Sequence, residues 1–161
     1  MSQLSYGYNT SMGAAGGIVD LAPHYIFSLI NEANTGAVGF GMGVVKGTTA
    51  GKTAKVPVAG SSATDFEGIV TNRRTSELDL EGNLSLRTKC TLGVMRYGVI
   101  YALLAEGAEP AYGKAVYMVK SGEDAGKFTD SSSSTLAIKG RFLSGADNGV
   151  AIVELFNQAQ S

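Results

Sequence analysis

The chain has no tryptophan, one cysteine, one histidine and three prolines in 161 residues. The single cysteine, Cys90, excludes an intrachain disulfide framework, so folding rests on packing alone. It reads as a small structural residue of a strand. With one cysteine and one histidine there is no Cys/His cluster to hold zinc. His24, in Pro23-His24-Tyr25, has no paired carboxylate or cysteine spacing beside it. No Gly-x-Ser-x-Gly elbow supports Ser–His–Asp chemistry. Charged residues are only 17% and the net charge is −1, so nothing attracts nucleic acid by bulk electrostatics. The one basic pair, Arg73-Arg74, is followed by Glu77, Asp79 and Glu81 and reads as solvated or salt-bridged surface. No apolar run approaches the roughly 18 residues of a membrane span. Residues 1–11 lack the charged and apolar regions of a secretory signal, which points to synthesis in a reducing cytoplasm. Scarcity of charge has a second meaning, because interface cores are depleted of charged residues.

What the chain does have is glycine, 22 residues of it, spaced between short runs of β-branched and aromatic residues. That pattern is the signature of strands joined by turns. The stretch Cys90–Lys120 predicts a strand, a bend, a second strand through Val99-Ile100-Tyr101-Ala102-Leu103-Leu104, a turn around Pro110, and a third strand at Ala115-Val116-Tyr117-Met118-Val119. Upstream, residues 24–31 alternate, with Tyr25, Phe27 and Leu29 on one side and Ile26, Ser28 and Ile30 on the other. In residues 37–45, Gly39, Gly41 and Gly43 recur at every second position, which predicts one bare strand face open to close approach. Residues 47–55 read as a polar loop, Val56-Pro57-Val58 as a short edge piece, residues 66–71 as a strand and residues 84–89 as a half-exposed strand. Downstream, residues 127–129 form a short strand and residues 136–156 a closing hairpin around residues 145–149. Residues 101–109 are the nearest approach to a helix and alternate too poorly to be one. About ten short strands with no amphipathic helix predict a single-domain, all-β antiparallel sandwich or barrel, jelly-roll-like, over residues 24–161.

Residues 1–23 have no sustained period and cannot build a core. They read as an extended N-terminal arm, either frayed or ordered on a neighbouring subunit with Tyr6, Tyr8 and Met12 as anchors. Tyr25 and Phe27, just beyond the arm, complete the candidate contact residues. Searches for chemistry end without a site. Gly51-Lys52-Thr53 ends like a phosphate loop, but Lys46 stands where the first glycine is required and no helix can follow. Gly39-x-Gly41-x-Gly43 lacks the dinucleotide spacing. The pairs Asp79 with Glu81 and Glu123 with Asp124 lie in Gly- and Ser-rich turns and lack the alternating oxygens of a calcium loop. The expectation is therefore a protein that is not an enzyme and has no metal or cofactor.

The order of elements resembles the capsid cement, or head decoration, proteins of tailed bacteriophages. The residues that carry the resemblance are Phe66-Glu67-Gly68-Ile69-Val70, residues 93–100, Gly113-Lys114-Ala115-Val116-Tyr117, Gly126-Lys127-Phe128-Thr129, and the pair Ile138–Leu143 with Val150–Leu155. Residues 15–20, 28–32 and 40–45 match more loosely. The resemblance implies a mechanical role on the exterior of a virion capsid, after assembly in the host cytoplasm. Its partners would be the major capsid protein and itself, as a homodimer or homotrimer, with no nucleic acid and no membrane. Another virion β-protein, of a tail or spike, or a ligand-binding sandwich is the alternative.

Overall fold

The structure, a computed structural model, describes residues 13–20, 22–72, 77–78 and 84–156. Eleven strands follow one another: β1 (Tyr25–Asn31), β2 (Gly43–Lys46), β3 (Thr53–Lys55), β4 (Phe66–Val70), β5 (Glu77–Leu78), β6 (Leu84–Ser85), β7 (Thr91–Leu103), β8 (Ala115–Val119), β9 (Phe128–Thr129), β10 (Thr135–Phe142) and β11 (Val150–Leu155). A single 3₁₀ turn, Ala63–Asp65, precedes β4. The described residues contain no α-helix. Nine strands share one sheet in the order β1-β3-β2-β4-β7-β11-β10-β8-β9, and β1 also pairs with β7. That extra pairing closes β1, β3, β2, β4 and the first half of β7 into a five-stranded barrel. β5 and β6 form a separate two-stranded ribbon. Of the all-β antiparallel sandwich or barrel expected from the pattern, a barrel is present with an open sheet attached, and one of its pairings, β1 with β3, is parallel.

Strand β7 joins the two parts. Its first half pairs with β1 from Tyr25↔Tyr97 to Ile30↔Thr91 and with β4 at Ile69↔Met95 and Val70↔Val94. Its second half pairs with β11 from Gly98↔Leu155 to Leu103↔Val150. The opposite edge of that half is taken by the segment before β1. Tyr101 N donates to Gly17 O at 3.0 Å, Gly16 N to Tyr101 O at 2.8 Å, and Ile18 bridges Ile100. The two strands expected on either side of a bend are therefore one continuous strand. It continues through the bulge at Arg96 and Gly98 because its partners change while its hydrogen bonds do not lapse.

Two hydrophobic cores lie on opposite faces of the barrel wall. Leu29, Val44, Ala54, Val70, Leu92 and Val94 come from all five barrel strands and fill its interior with Val38 and Leu86. Val45, Phe66, Ile69 and Met95 point outward and pack with Ile100, Met118, Phe128, Phe142, Val153 and their neighbours under the attached sheet. Sequence neighbours therefore go to different cores: Val44 and Val45, Ile69 and Val70, Val94 and Met95. This is why these strands read as continuous apolar runs, as strands buried on both faces do. Where only one face is covered, as in β10, alternation returns, with Leu136 and Ile138 buried and Ala137 and Lys139 exposed.

Three other expectations need correction. Residues 37–42 are turn and not strand, so Gly39, Gly41 and Gly43 do not share a face. Gly41 takes φ +78° because the backbone must pass close to Leu103; a Cβ there would lie 2.9 Å from the Ala15 Cβ. The close approach was real, but a turn makes it. Residues 47–55 end in strand β3, which a three-residue length and flanking polar residues conceal. Of residues 84–89, only Leu84–Ser85 pairs as strand.

The packing of β4 on β7 generates the first expected outcome. Gly68 adopts φ +150° beside a bulge opposite β2, and a Cβ there would sit 2.3 Å from the Met95 carbonyl oxygen. Gly68→Ala should cost about 2 kcal/mol or more in urea unfolding. Gly60→Ala, with no heavy atom within 4 Å, should change stability by less than about 0.5 kcal/mol.

Candidate interaction surface

The pairing of β1 with β7 slips by one residue between Tyr25 and Ile26, because Tyr25 faces Tyr97 while Ile26 faces Met95. The extra residue is Arg96. A bulge of this kind re-aims side chains, and here Arg96 and Tyr97 both reach the same face of β1. Tyr97 stacks on Tyr25 with centroids 6.2 Å apart and an interplanar angle of 12°. Tyr25 stacks in turn on Phe27 at 6.0 Å and 11°. The Arg96 guanidinium lies over the Phe27 ring, 3.8 Å from its centroid. Its terminal nitrogen donates to Glu67 Oε2 at 2.6 Å. Phe27 packs against the barrel core and Tyr25 is 49% exposed. The row thus runs from Phe27, packed against the barrel core, to Tyr25 at the surface.

Charge next to this row is neutralised within the chain. Lys46 pairs with Asp65 at 2.8 Å. The Asp65 carboxylate, hydrogen-bonded by Lys46 and by the Ser62 backbone N–H, is pulled down from the ordinary 3.8 to about 2. Lys46 is raised above its ordinary value, first by its hydrogen bond to Asp65 and then by that carboxylate's charge. With Arg96 on Glu67 and Lys46 on Asp65, an apolar, aromatic partner can approach without stranding a charge.

Of the residues singled out in the sequence, Tyr25 and Phe27 are brought together here. Tyr6, Tyr8 and Met12 lie outside the described residues, as do Arg73-Arg74, Asp79 and Glu81. His24 accompanies the row at its edge, its ring Nδ1 within 2.9 Å of the Ala22 carbonyl. Cys90 packs beside the barrel core. Gly51-Lys52-Thr53 is the turn into β3, hydrogen-bonded through Lys52 N to Thr49 O. Glu123 and Asp124 border an open polar cleft of about 490 Å³ with Glu106, Ser131 and Thr135. Asp124 there is tied to Lys127 at 2.8 Å and to the Glu106 N–H. Among the described residues no group of three His, Cys, Asp or Glu side chains could hold a metal ion.

Sequence reasoning missed Tyr97, Arg96 and Glu67, and also Tyr112, Arg141 and Glu154 on the attached sheet. Arg141 and Glu154 are cross-strand partners and bond through Nε at 2.9 Å. Glu154, first by hydrogen bond and then by charge, raises the Arg141 pKa, with a smaller contribution from Tyr112. The closing hairpin, once registered, would have paired Arg141 with Glu154. Nothing local could have paired Arg96 with Glu67, 29 residues away.

A family model described as structural cement protein (E217 gp24/Pam3 gp6) matches residues 2–156. A search of curated proteins found no match. Among solved structures, a chain from "The capsid of Myoviridae Phage XM1" superposes with a TM-score of 0.72. The identity is 20%, over 96% of this chain and 96% of that one. At that identity the likeness establishes the fold.

Two outcomes test the row and its charges. Arg96→Ala removes the Phe27 stack and leaves Glu67, 14% exposed, without its close partner. It should cost about 1–3 kcal/mol in urea unfolding, and adding Glu67→Gln should recover part of the loss. Asp65 is held below its unfolded value, so its contribution to stability is complete above about pH 4 and is lost as pH falls through about 2. Asp65→Asn should flatten the fall in unfolding midpoint across that window.

Proposed function

The chain belongs to the family of phage structural cement proteins, matched over residues 2–156, and from that premise we propose that it binds the outside of an icosahedral capsid where major capsid subunits meet and holds the shell against the pressure of packaged DNA. The family match over nearly the whole chain carries the reading. The fold neighbour from a phage capsid supports it. The protein would work as a homo-oligomer, contact neither nucleic acid nor membrane, and catalyse nothing.

The physics of such a role suits this surface. A single contact need bury only on the order of 800 Å² per side. Many contacts engaged on one lattice give an avidity far above any single affinity. Tyr25 and Phe27 are the contact residues of the described chain, joined by Tyr97. An aromatic held by stacking loses little freedom on binding, which favours it as an anchor. Tyr6, Tyr8 and Met12 extend the same contact through the N-terminal arm.

The test is co-sedimentation with expanded shells of the cognate major capsid protein. Saturation at a fixed ratio to capsid subunits is expected. Tyr25→Ala should weaken binding about tenfold with little change in thermal unfolding. Removing residues 1–12 spares the pairing of residues 16–19 with β7, and should reduce protection of the shells. Absence of wild-type binding would favour a tail component or a ligand-binding role.

A further inference from the structure

The arrangement of guanidinium, ring and carboxylate at Arg96 has a counterpart on the attached sheet that is only half engaged. Tyr112 is 71% exposed, more than any other large hydrophobic residue described. Its loop is nevertheless clamped. Gly113 N donates to Phe142 O at 2.8 Å, Phe142 N to Lys114 O at 2.9 Å, and Lys114 N to Ala111 O at 3.0 Å. Lys114 Nζ donates to Glu109 O at 2.8 Å and to Asp130 at 2.7 Å, and Asp130 also accepts the Glu109 N–H. Pro110 is buried beneath. A fixed loop therefore holds a projecting ring.

Arg141 stands beside that ring, its Cζ 5.7 Å from the centroid. Its Nε is bonded to Glu154, and among the described residues its two terminal nitrogens have no partner. Arg96 differs on both counts, lying 3.8 Å from its ring with a terminal nitrogen bonded to Glu67. One guanidinium is a clasp within the fold. The other presents its open edge to solvent.

We propose that Tyr112 and Arg141 form an anchor for an Asp or Glu side chain on the capsid subunit to which the protein attaches. The inference rests on the cement reading and names the chemistry of its partner. The terminal edge of a guanidinium offers two parallel N–H groups that match a carboxylate bidentately. Glu154 already fixes the Arg141 side chain, so little rotamer freedom remains to be lost on binding. The Tyr112 ring stands 5.7 Å from the guanidinium carbon and adds a cation–π contact on one side. Ala111 and Ala115 flank the site as small exposed residues and leave room for approach. A phosphate backbone is the poorer match, because it would call for several cations along its track, and the site presents one fork with open terminal nitrogens.

The test measures co-sedimentation of wild type, Arg141→Gln, Arg141→Lys and Tyr112→Ala with expanded cognate shells at low and moderate NaCl. Arg141→Gln should lose about tenfold or more in affinity, and its binding should depend less on salt than the wild type's. Arg141→Lys keeps the charge but not the fork and should recover only part. Tyr112→Ala should lose several-fold. Thermal unfolding of each variant separates binding from folding; if Arg141→Gln is unfolded, the lysine and alanine variants decide. Binding by Arg141→Gln or, in that case, by Arg141→Lys and Tyr112→Ala within twofold of wild type, with the same salt dependence, would overturn the anchor alone. Failure of the wild type to bind shells would overturn the cement reading and the anchor with it.

Discussion

A thirteen-residue strand in the middle of a small protein needs partners for its backbone on both edges along its whole length, because a buried N–H or C=O left unpaired costs about as much as a lost hydrogen bond. β7 meets that requirement by changing neighbours at Gly98. Before it, β1 and β4 supply the bonds and the barrel closes. After it, β11 and residues 16–19 supply them and the sheet opens. The rest of the fold depends on this exchange. The barrel wall becomes buried on both faces, so two cores form, and β2, β4 and β7 must be apolar on both sides.

The same exchange creates the surface. Where β1 begins against β7 the register slips, and the displaced Arg96 turns onto Phe27 while Tyr97 meets Tyr25. The bulge at the join between barrel and sheet thereby gathers an aromatic row with its charge neutralised. On the attached sheet, a regular cross-strand pair, Arg141 with Glu154, leaves an open guanidinium edge beside an exposed tyrosine.

Much of the fold was legible in local pattern. Alternation marked β1, and the hairpin of β10 and β11 stood out because turn residues separate two strands with one buried face each. Phe66 to Val70 read as strand because β-branched and aromatic residues leave few other options there. Tyr25 and Phe27 could be chosen because they are aromatic groups close to the N-terminal arm. The rest of the site was illegible for a definite reason. Glu67, Arg96 and Tyr112 are unremarkable in their own stretches, and their meaning comes from partners 29 residues away in each of two cases: Glu67 with Arg96, and Tyr112 with Arg141.

The sequence by itself carried the family as a resemblance in the order of its elements, and it determined the all-β class, most strand positions and the lack of a recognisable catalytic motif. Those follow from side-chain period, turn chemistry and composition, which act over a few residues. Only the tertiary structure decided that Thr91–Leu103 is one strand, that β1 returns to close a barrel on it, and that Gly41 serves a turn and not a strand face. Each of these is a matter of which distant backbone meets which. Pattern states that an edge needs a partner, and long-range packing selects the partner.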